Sequence, residues 1–447
     1  MRKISSCLIL LGAVAWAASC GGSSVTPAGD QEAGASPDGA SRQDGAGVPD
    51  AVVGQDAAPD ATGPDGNTEK DSGLDASTDS AADAEQDSGQ DSGRDAAIDA
   101  APDAQPDAGP PPSVQIIGRT DARDPAGPKV GWPAARIIAR FNGTEATVRL
   151  SHVNGFSGGP SYYDVLVDGV LVGAPLAVTG GVTDYPLVTG LPAGDHTVEL
   201  YKRTEASLGV DQLHRFTFAG GRLLSPPPRA ARRIEFLGDS QIQGFGVEST
   251  SPTCATIADK HNARKSVQAL LGADLGAEVS SITYSGKGLG KNEFAGDTRY
   301  FRALYPLSLP DDNAATWNFA NFVPDVIVIV LGGTDFSVAP IPTAAQFRVL
   351  YQALLTQVRS LNPDAFVFGV IGGQIKDSFP AGQQLRTRMR GGIDMAIASL
   401  ADPKMFRFQL PESNPALETA CYNHASEALH LQWATMLGTE IRLRTGW

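Results

Sequence analysis

One long stretch of this 447-residue chain lacks every residue type from which protein cores and catalytic sites are usually built. Residues 21–112 contain no Phe, Trp, Tyr, His or Cys, and they carry 17 Asp and 3 Glu against only three basic side chains. A segment with so little apolar area cannot offset the entropy that it would lose on ordering. We therefore predict that residues 21–112 form a disordered acidic linker.

The remainder of the chain lacks net charge. Residues 113–447 contain 30 acidic and 30 basic side chains, so the formal charge of −15 comes from the linker (−17) and the first 20 residues (+2). A charge-balanced protein offers no electrostatic footprint for nucleic acid, and no nucleic-acid partner is expected. A stretch of 335 residues is the size of two domains.

Residues 1–20 lack acidic side chains and have the pattern of an export signal. Arg2 and Lys3 precede the apolar run Leu8–Ala18, which at about 11 residues is too short to cross a bilayer. Small residues follow it, as in a secretory signal peptide. Cys20 comes directly after them, and this arrangement resembles a bacterial lipobox in which Cys20 is the lipidated first residue of the mature chain. An ordinary secretory signal is the alternative.

Lipid on Cys20 would make the linker a tether at the cell envelope. Residue 22 is Gly and not the Asp that often retains such proteins at the inner membrane, so we expect the outer membrane or cell surface. No membrane contact other than the lipid is expected. Cys7 leaves with the leader, and Cys254 and Cys421 remain as an even pair. In an exported protein they form either a disulfide or two buried free thiols.

Residues 113–228 have the pattern of an all-β domain. Short runs rich in β-branched and aromatic residues recur there without an intervening run of helical period. Asp168-Gly169 separates two such runs and supplies the positive φ angles of a two-residue turn, which predicts a hairpin. We predict a β jelly-roll sandwich that ends at Pro226–Pro228, because three prolines form a stiff, extended linker.

Residues 229–447 alternate between strand and helix patterns. Asp325–Leu331 is a continuous apolar run, which is typical of a parallel strand covered on both faces. Repeated β–α units predict a doubly wound, flavodoxin-like α/β domain with a parallel sheet, in which ligands bind at the carboxyl ends of the strands. The other predicted elements are the strands Arg233–Leu237, Val279–Thr283, Ala365–Ile371 and Met405–Gln409 and the helices Lys265–Leu275, Ala344–Leu361, Leu385–Leu400 and Glu427–Leu443.

A serine follows the first strand of this domain. Gly238-Asp239-Ser240 places the Ser240 hydroxyl at the end of the sheet where ligands bind, although a helix N-cap is the simpler explanation of Asp-Ser. A serine nucleophile needs a base. Three of the six histidines lie in the β domain, His261 lies in a polar loop or helix start, and His430 lies in the last helix. Elimination favours His424, on a loop at the same edge, as the general base.

Glycine-containing segments follow two further strands. Glycine lets a backbone N–H approach a reacting carbonyl, so residues 284–288 and 331–335 could donate hydrogen bonds to an oxyanion. Ordinary tight turns are the alternative for both. A phosphate-binding loop over Gly286–Lys291 is excluded, because Asn292 stands where Ser or Thr is required.

These blocks together resemble those of the Ser-Gly-Asn-His (GDSL-like) hydrolases. More narrowly, residues 113–447 resemble the family-2 carbohydrate esterases over four segments: His196–Glu205, Arg232–Ser240, Ser285–Leu289 and Trp317–Ser337. The resemblance implies a jelly-roll domain ahead of a hydrolase domain that removes acetyl groups from hemicellulose such as xylan or glucomannan. It further implies a serine and histidine mechanism without a metal or other cofactor.

The resemblance also assigns roles to individual residues. Ser240 is the nucleophile and His424 the base, and the oxyanion hole is formed by Ser240, Gly286 and Thr334. Two positions depart from the family pattern. Thr334 stands where the family has an oxyanion-hole Asn, and Tyr422 stands where many members have the Asp that completes a triad. Some members use a Ser-His dyad, so we expect an active enzyme.

Two other functions remain open at this point. The departures at Thr334 and Tyr422 are compatible with a non-hydrolytic glycan-binding protein on a decayed esterase scaffold. A general lipase-like esterase of the wider superfamily is the third possibility, which the β domain disfavours. We expect a monomer whose partner is an acetylated polysaccharide or oligosaccharide.

Overall fold

The structure, a computed structural model, describes residues 113–254 and 257–447. The predicted signal peptide, the lipidation site Cys20 and the acidic linker lie outside the described residues. Within the described part of the chain, no helix combines the length and the apolar character that crossing a bilayer requires.

The first half of the described chain forms two antiparallel sheets whose inner faces share a core. The larger sheet contains β1 (Gln115–Ile117), β3 (Arg136–Gly143), β5 (Ser161–Val167), β6 (Val170–Leu171), β7 (Leu176–Val178), β9 (Gly194–Lys202) and β11 (Arg222–Leu223). The smaller sheet contains β2 (Lys129–Val130), β4 (Ala146–Asn154), β8 (Thr183–Val188) and β10 (Gly209–Thr217). Their neighbours run in the orders β1-β3-β9-β5-β6 and β2-β10-β4-β8, with β11 on β3 and β7 on β5.

The predicted hairpin is confirmed at β5 and β6. Val167 pairs with Val170, and Asp168 and Gly169 form the turn between them with φ angles of 49° and 79°. Positive φ at both central residues matches the right-handed twist of the flanking strands. The two turn residues therefore account for the tight connection between β5 and β6.

The second half forms a five-stranded parallel sheet between helices, as predicted for a doubly wound domain. The strands are β12 (Arg232–Gly238), β13 (Ala277–Thr283), β14 (Val326–Val330), β15 (Phe366–Ile371) and β16 (Met405–Gln409). The helices are α1 (Val267–Leu275), α2 (Phe301–Leu304), α3 (Gly333–Ser337), α4 (Ala344–Leu361), α5 (Leu385–Leu400) and α6 (Glu427–Thr445). Helix α1 begins two residues later than predicted, because Ser266 is extended and separates it from a 3₁₀ turn.

Alternate residues of the parallel strands pack into two different hydrophobic cores, one on each face of the sheet. Ile327 and Ile329 of β14 pack in the core that contains α4 and α5, whereas Val326, Val328 and Val330 pack in the core that contains α1 and α6. Burial on both faces explains why this strand reads as a continuous apolar run.

The order of the parallel strands is β13-β12-β14-β15-β16. The chain moves outward from β12 to β13 and then crosses to β14 on the other side, so the topological switch point lies beside the carboxyl end of β12. Residues that follow β12, β13 and β14 therefore meet at one edge of the sheet.

Buried ion pairs join the sandwich to the α/β half. Arg119 contacts Glu235 of β12, with 2.9 Å between Nη2 and Oε1, and both side chains are buried. Arg203, just after β9, binds Asp164 of its own half (Nη1 to Oδ1, 2.8 Å) and Glu248 of the other. Because a buried charge is strongly destabilising without its partner, these contacts fix the two halves against each other.

Candidate active site

Ser240 is the second residue after the end of β12, and it lies at the topological switch point of the parallel sheet. A Cβ on Gly238, the last residue of β12, would come within 2.4 Å of the Ile242 Cδ1 atom, so a larger residue there would require the buried Ile242 side chain to shift. The amide of Gln241 donates to Asp239 Oδ1 (3.0 Å) and closes the turn. The turn leaves Ser240 half-buried at the open edge of the sheet.

The structure brings Ser240 and His424 together. Ser240 Oγ lies 2.8 Å from His424 Nε2. The other ring nitrogen, Nδ1, lies 2.8 Å from the carbonyl oxygen of Cys421. Since a carbonyl only accepts hydrogen bonds, Nδ1 carries the ring proton and Nε2 presents its lone pair to the serine hydroxyl. This is the arrangement that a general base for Ser240 requires.

A backbone carbonyl occupies the place where a triad has a carboxylate. Tyr422, the residue at the expected Asp position, is 62% exposed. Its ring lies near Phe245, with 6.4 Å between the ring centroids, while Phe245 lies closer to the His424 ring at 4.5 Å. The imidazole is therefore held by the Cys421 carbonyl on one side and by packing against Phe245 on its face.

The turn that carries His424 is cross-linked to a neighbouring loop. Cys254 and Cys421 form a disulfide, which is one of the two states left open by the sequence. Gly246 packs against this bridge: its φ is +58°, and a Cβ there would lie 2.4 Å from the Cys421 Cβ. The position is restricted to glycine both by its backbone conformation and by this close approach.

Burial lowers the pKa of His424, and the hydrogen bond to the Cys421 carbonyl and the charge of Glu205 partly oppose this effect. The His424 ring is therefore neutral over the physiological range, which is the state in which an imidazole can accept a proton. His261 and His430 are buried, and desolvation lowers their pKa values to about 4 and about 3. Both remain neutral structural side chains.

The segment after β13 carries Gly286, the predicted oxyanion-hole glycine. Gly286 has a φ of +71°, and a Cβ there would lie 2.9 Å from Glu293 Oε2. Ser285 is tied to the nucleophile turn, because Gln243 Nε2 donates to Ser285 Oγ at 2.6 Å. The same nitrogen donates to Glu205 Oε2 at 3.0 Å. The predicted oxyanion glycine is thus connected to the Ser240 turn.

Thr334 lies in the short helix α3 after β14 and is 8% exposed. Its neighbour Gly333 abuts the Ser240 turn, since a Cβ there would lie 2.0 Å from Gln241 Nε2 and 3.2 Å from Asp239 Oδ2. All four predicted site residues therefore gather at one edge of the sheet. Ser240 and His424 are in direct contact, and Gly286 and Thr334 lie on the two adjoining segments.

Asp335 organises the glycine segment and takes no part in a triad. Its carboxylate accepts the backbone N–H groups of Leu289 (2.8 Å), Gly290 (2.7 Å) and Lys291 (3.0 Å). Burial raises the pKa of Asp335, and these three bonds oppose the rise. The carboxylate fixes the loop that follows Gly286.

Asp239 is the second buried carboxylate of the site. Burial raises its pKa to about 7, with smaller contributions from the charges of Asp335 and Glu293. Its Oδ2 is buried and has no hydrogen-bond partner among the described residues. The carboxyl next to the nucleophile therefore titrates near neutral pH.

Sequence reasoning missed Glu205, Gln243 and Phe245. Glu205 is contributed by the β-sandwich half and is 5% exposed. It accepts from Gln243, and its Oε1 lies 3.8 Å from His261 Nε2. It belongs to a segment that carries the family resemblance, but no spacing rule connects it to a serine 35 residues later in another half of the molecule.

The described residues contain no group of three or more His, Cys, Asp or Glu side chains arranged to hold a metal ion.

Comparison with known proteins agrees with this architecture. The carbohydrate esterase 2 N-terminal model matches residues 116–228, and the GDSL-like lipase/acylhydrolase model matches residues 236–430. A solved family two carbohydrate esterase from Clostridium thermocellum, in complex with cellohexaose, is 32% identical with a TM-score of 0.69. The match covers 75% of this chain and 100% of that one. The chain belongs to carbohydrate esterase family 2.

Two curated relatives extend the comparison. The cellulase/esterase CelE of Acetivibrio thermocellus is 32% identical over 336 residues, which are 75% of this chain and 40% of CelE. An acetylxylan esterase/glucomannan deacetylase of Cellvibrio japonicus is 27% identical over 266 residues, which are 57% of this chain and 70% of that protein. This family 2 chain therefore spans only about two fifths of CelE.

Family membership confirms the two-part fold expected from the sequence, in which an antiparallel β-sandwich precedes a parallel α/β hydrolase fold. The GDSL-like match includes Ser240, Gly286, Thr334 and His424. The positions that depart from the family pattern, Thr334 and Tyr422, also lie inside it.

Proposed function

We propose that this carbohydrate esterase removes O-acetyl groups from hemicellulose-type polysaccharides such as xylan and glucomannan. The observation that carries the proposal is the contact of 2.8 Å between Ser240 Oγ and His424 Nε2, with Nδ1 of the same ring held by a carbonyl. A hydroxyl hydrogen-bonded to a neutral, oriented imidazole is the machinery of acyl transfer.

The reaction proceeds in two steps. Ser240 Oγ attacks the acetyl carbonyl while its proton passes to His424 Nε2, and the carbonyl oxygen becomes an oxyanion. N–H groups of Ser240 and Gly286, with the Thr334 hydroxyl, stabilise this charge. The intermediate collapses, the C–O bond to the sugar breaks, and the sugar oxygen takes the proton from His424.

Water then completes the cycle. It loses a proton to His424 and attacks the acetyl-serine carbonyl, and breakage of the ester bond to Ser240 releases acetate. The proton returns to Ser240 Oγ. Each step uses His424 alternately as base and acid, so its orientation must persist throughout the cycle.

Exposed aromatic rings beside the site favour a carbohydrate substrate. Phe294 is 52% exposed, and its ring atom Cε2 would lie 3.6 Å from a Cβ on Gly286. Phe156 of the sandwich half contacts it, with 5.5 Å between the ring centroids. Apolar faces of pyranose rings stack on such surfaces. The relatives named as acetylxylan esterase/glucomannan deacetylase and the one in complex with cellohexaose support this substrate class.

Acetate release by the full-length protein tests the proposal. We expect acetate from acetylated xylan and acetylated glucomannan, and faster hydrolysis of p-nitrophenyl acetate than of the corresponding octanoate. Ser240→Ala is the matched control and should release none. Preference for the longer acyl chain would favour a lipase-like esterase.

A non-hydrolytic glycan-binding protein is the second candidate. Thr334 and Tyr422 motivate it, because each replaces a side chain that supports catalysis in the family. If the protein binds cellohexaose or xylohexaose but hydrolyses no acetyl ester, while Thr334→Asn/Tyr422→Asp does, the natural protein is a binding module.

We further propose that lipid on Cys20 anchors the protein at the cell envelope, at the outer membrane or cell surface. The basic start, the short apolar run and the small residues before Cys20 support this. Each buried CH₂ of a lipid contributes about 0.8 kcal/mol to membrane binding. Cys20→Ser should move the protein out of the membrane fraction, and unchanged fractionation would contradict the proposal.

A further inference from the structure

Phe245 packs on the face of the His424 ring, and a single backbone carbonyl holds its Nδ1–H. The Cys421 oxygen accepts the Nδ1–H of His424 at 2.8 Å and also its backbone N–H at 3.2 Å. A carbonyl can move only with the peptide chain that carries it. Whatever fixes the backbone at Cys421 therefore fixes the tautomer and direction of the imidazole.

The backbone between this carbonyl and the histidine adopts an unfavourable conformation. Tyr422 and Asn423 have φ angles of 53° and 59°, in the left-handed region, which Asn tolerates but which is unusual for an aromatic residue such as Tyr. Such conformations persist only where surrounding contacts hold them. Ala420 donates to the His424 carbonyl at 3.1 Å within the turn, and the left-handed conformation of Tyr422 needs further support from neighbouring segments.

One loop provides much of that support. Cys254 is bonded to Cys421 through the disulfide. Pro252, two residues earlier on the same loop, accepts the N–H of Tyr422 at 2.8 Å. From the other side, Gln374 Nε2 donates to the Asn423 carbonyl at 2.7 Å. The disulfide is the only covalent bond among these contacts, and it is formed by Cys421, whose carbonyl accepts the Nδ1–H of His424.

We propose that the Cys254–Cys421 disulfide is a positioning element for catalysis, which keeps the Cys421 carbonyl on His424 and so replaces the missing triad carboxylate. The proposal rests on the proposed Ser240–His424 hydrolysis. It explains how the family residue at position 422 can be lost: the orienting group has moved from a side chain to a cross-linked backbone.

A positioning role for the disulfide predicts a change in kcat, whereas a purely stabilising role predicts a change in the melting temperature. Release of the bridge frees the Cys421 carbonyl, so the imidazole spends less time aimed at Ser240 and kcat falls. The exposed rings of Phe156 and Phe294 lie on other segments, so KM for the substrate changes little. A bridge that served only the fold would lower the melting temperature and leave kcat unchanged.

The first experiment removes the bridge from the full-length protein. We expect Cys254→Ala/Cys421→Ala to lower kcat on p-nitrophenyl acetate at least about tenfold, since a group that orients a catalytic histidine contributes up to about 10⁴ in rate. KM should stay within about threefold. Near-UV circular dichroism gives the folded fraction by which kcat is divided. An unchanged kcat overturns the proposal.

Reduction of the folded wild type covers the case in which the double variant does not fold. A phosphine reductant is applied well below the melting temperature, and thiols and kcat are followed together. Loss of kcat in step with the appearance of the two thiols supports the proposal. Full reduction with undiminished kcat overturns it.

The second experiment is a rescue. In the alanine pair, Tyr422→Asp should restore kcat at least about fivefold, because a carboxylate can again receive Nδ1–H, whereas Tyr422→Asn should not. In the bridged protein the same Tyr422→Asp should change kcat less. Equal effects in both backgrounds would show that bridge and carboxylate act independently, and would overturn the proposal.

Ser240→Ala separates this proposal from the one on which it rests. If Ser240→Ala retains activity in the bridged protein, both proposals fail. If Ser240→Ala is inactive and removal of the bridge leaves kcat unchanged, only the positioning role fails.

Discussion

Ser240 and His424, the two members of the candidate dyad, are positioned by different means. Ser240 follows β12, an interior strand of the parallel sheet that is hydrogen-bonded to a neighbouring strand on each side. His424 lies in an irregular turn between a 3₁₀ turn and α6, held by a disulfide and a few loop contacts. The nucleophile is thus placed by repeated secondary structure, and the base by specific cross-links. The serine is thus supported by two neighbouring strands, whereas the histidine depends on a few individual bonds.

Removal of either partner should have the largest effect. Ser240→Ala and His424→Ala should each lower kcat/KM by about 10³ or more, because each removes a member of a cooperating pair. The double variant should be no slower than the worse single one. Both variants should keep the wild-type melting temperature within a few degrees, as checked by circular dichroism. Additive losses would show that the two residues do not act together.

Substitution of the proposed oxyanion donor Thr334 should have the next largest effect on kcat. Like Ser240, Thr334 follows a strand of the parallel sheet. Thr334→Ala should lower kcat by about 10²-fold if the hydroxyl stabilises the oxyanion, since removal of one such donor costs about 10²–10³. Thr334→Asn should match or exceed the wild type. The measurement is kcat on p-nitrophenyl acetate. Wild-type rates in Thr334→Ala would place Thr334 outside the machinery.

The pH profile probes the base directly. Burial lowers the pKa of His424, so the imidazole stays neutral below pH 6.5 and protonates only as the pH falls further. We expect the acid limb of kcat/KM to lie below pH 6.5. A midpoint at or above 6.5 would contradict this.

The titration of Asp239 must be distinguished from that of His424 in the pH profile, because burial raises the pKa of Asp239 to about 7. Its carboxyl is protonated below that pH and charged above it. The matched control is Asp239→Asn, which should leave the acid limb of His424 in place. Loss of the limb in this variant would assign it to Asp239.

The smallest effect is expected at Tyr422. The side chain is 62% exposed, and the residue next to the base contributes through its backbone. Tyr422→Phe removes one exposed hydroxyl and should change kcat/KM by less than about tenfold. A loss comparable to that of His424→Ala would make the tyrosine hydroxyl part of the mechanism.

The difference between regular and irregular structure also explains what the sequence could predict. The pattern of apolar runs predicted all five parallel strands, and the bounds of α4, α5 and β16 agree with the prediction. Helical and strand periodicities are local, and they identify the edge where Ser240 lies. His424 was found by elimination among six histidines, which needs only the fold class.

The remainder depends on distant contacts that leave no local signal. The Cys421 carbonyl is a backbone atom, so no residue type marks its role. Glu205 reaches Gln243 across the boundary between the two halves, and its partner could not be inferred from spacing. The left-handed conformation of Tyr422 opposes its local preference, and only the surrounding loops account for it.

The buried cluster around Arg203 has a consequence for modularity. Arg264 shares Asp164 with it (Nε to Oδ2, 2.6 Å), and the Ala263 amide donates to the Arg203 carbonyl at 3.0 Å. Truncation at Pro226–Pro228 would take Arg203 from Glu248, which keeps Lys265 and Asn262 as partners, and would leave the buried Glu235 without its ion pair to Arg119. The sandwich therefore contributes to the stability of the catalytic half, and we expect the two parts to be expressed and engineered best as a single unit.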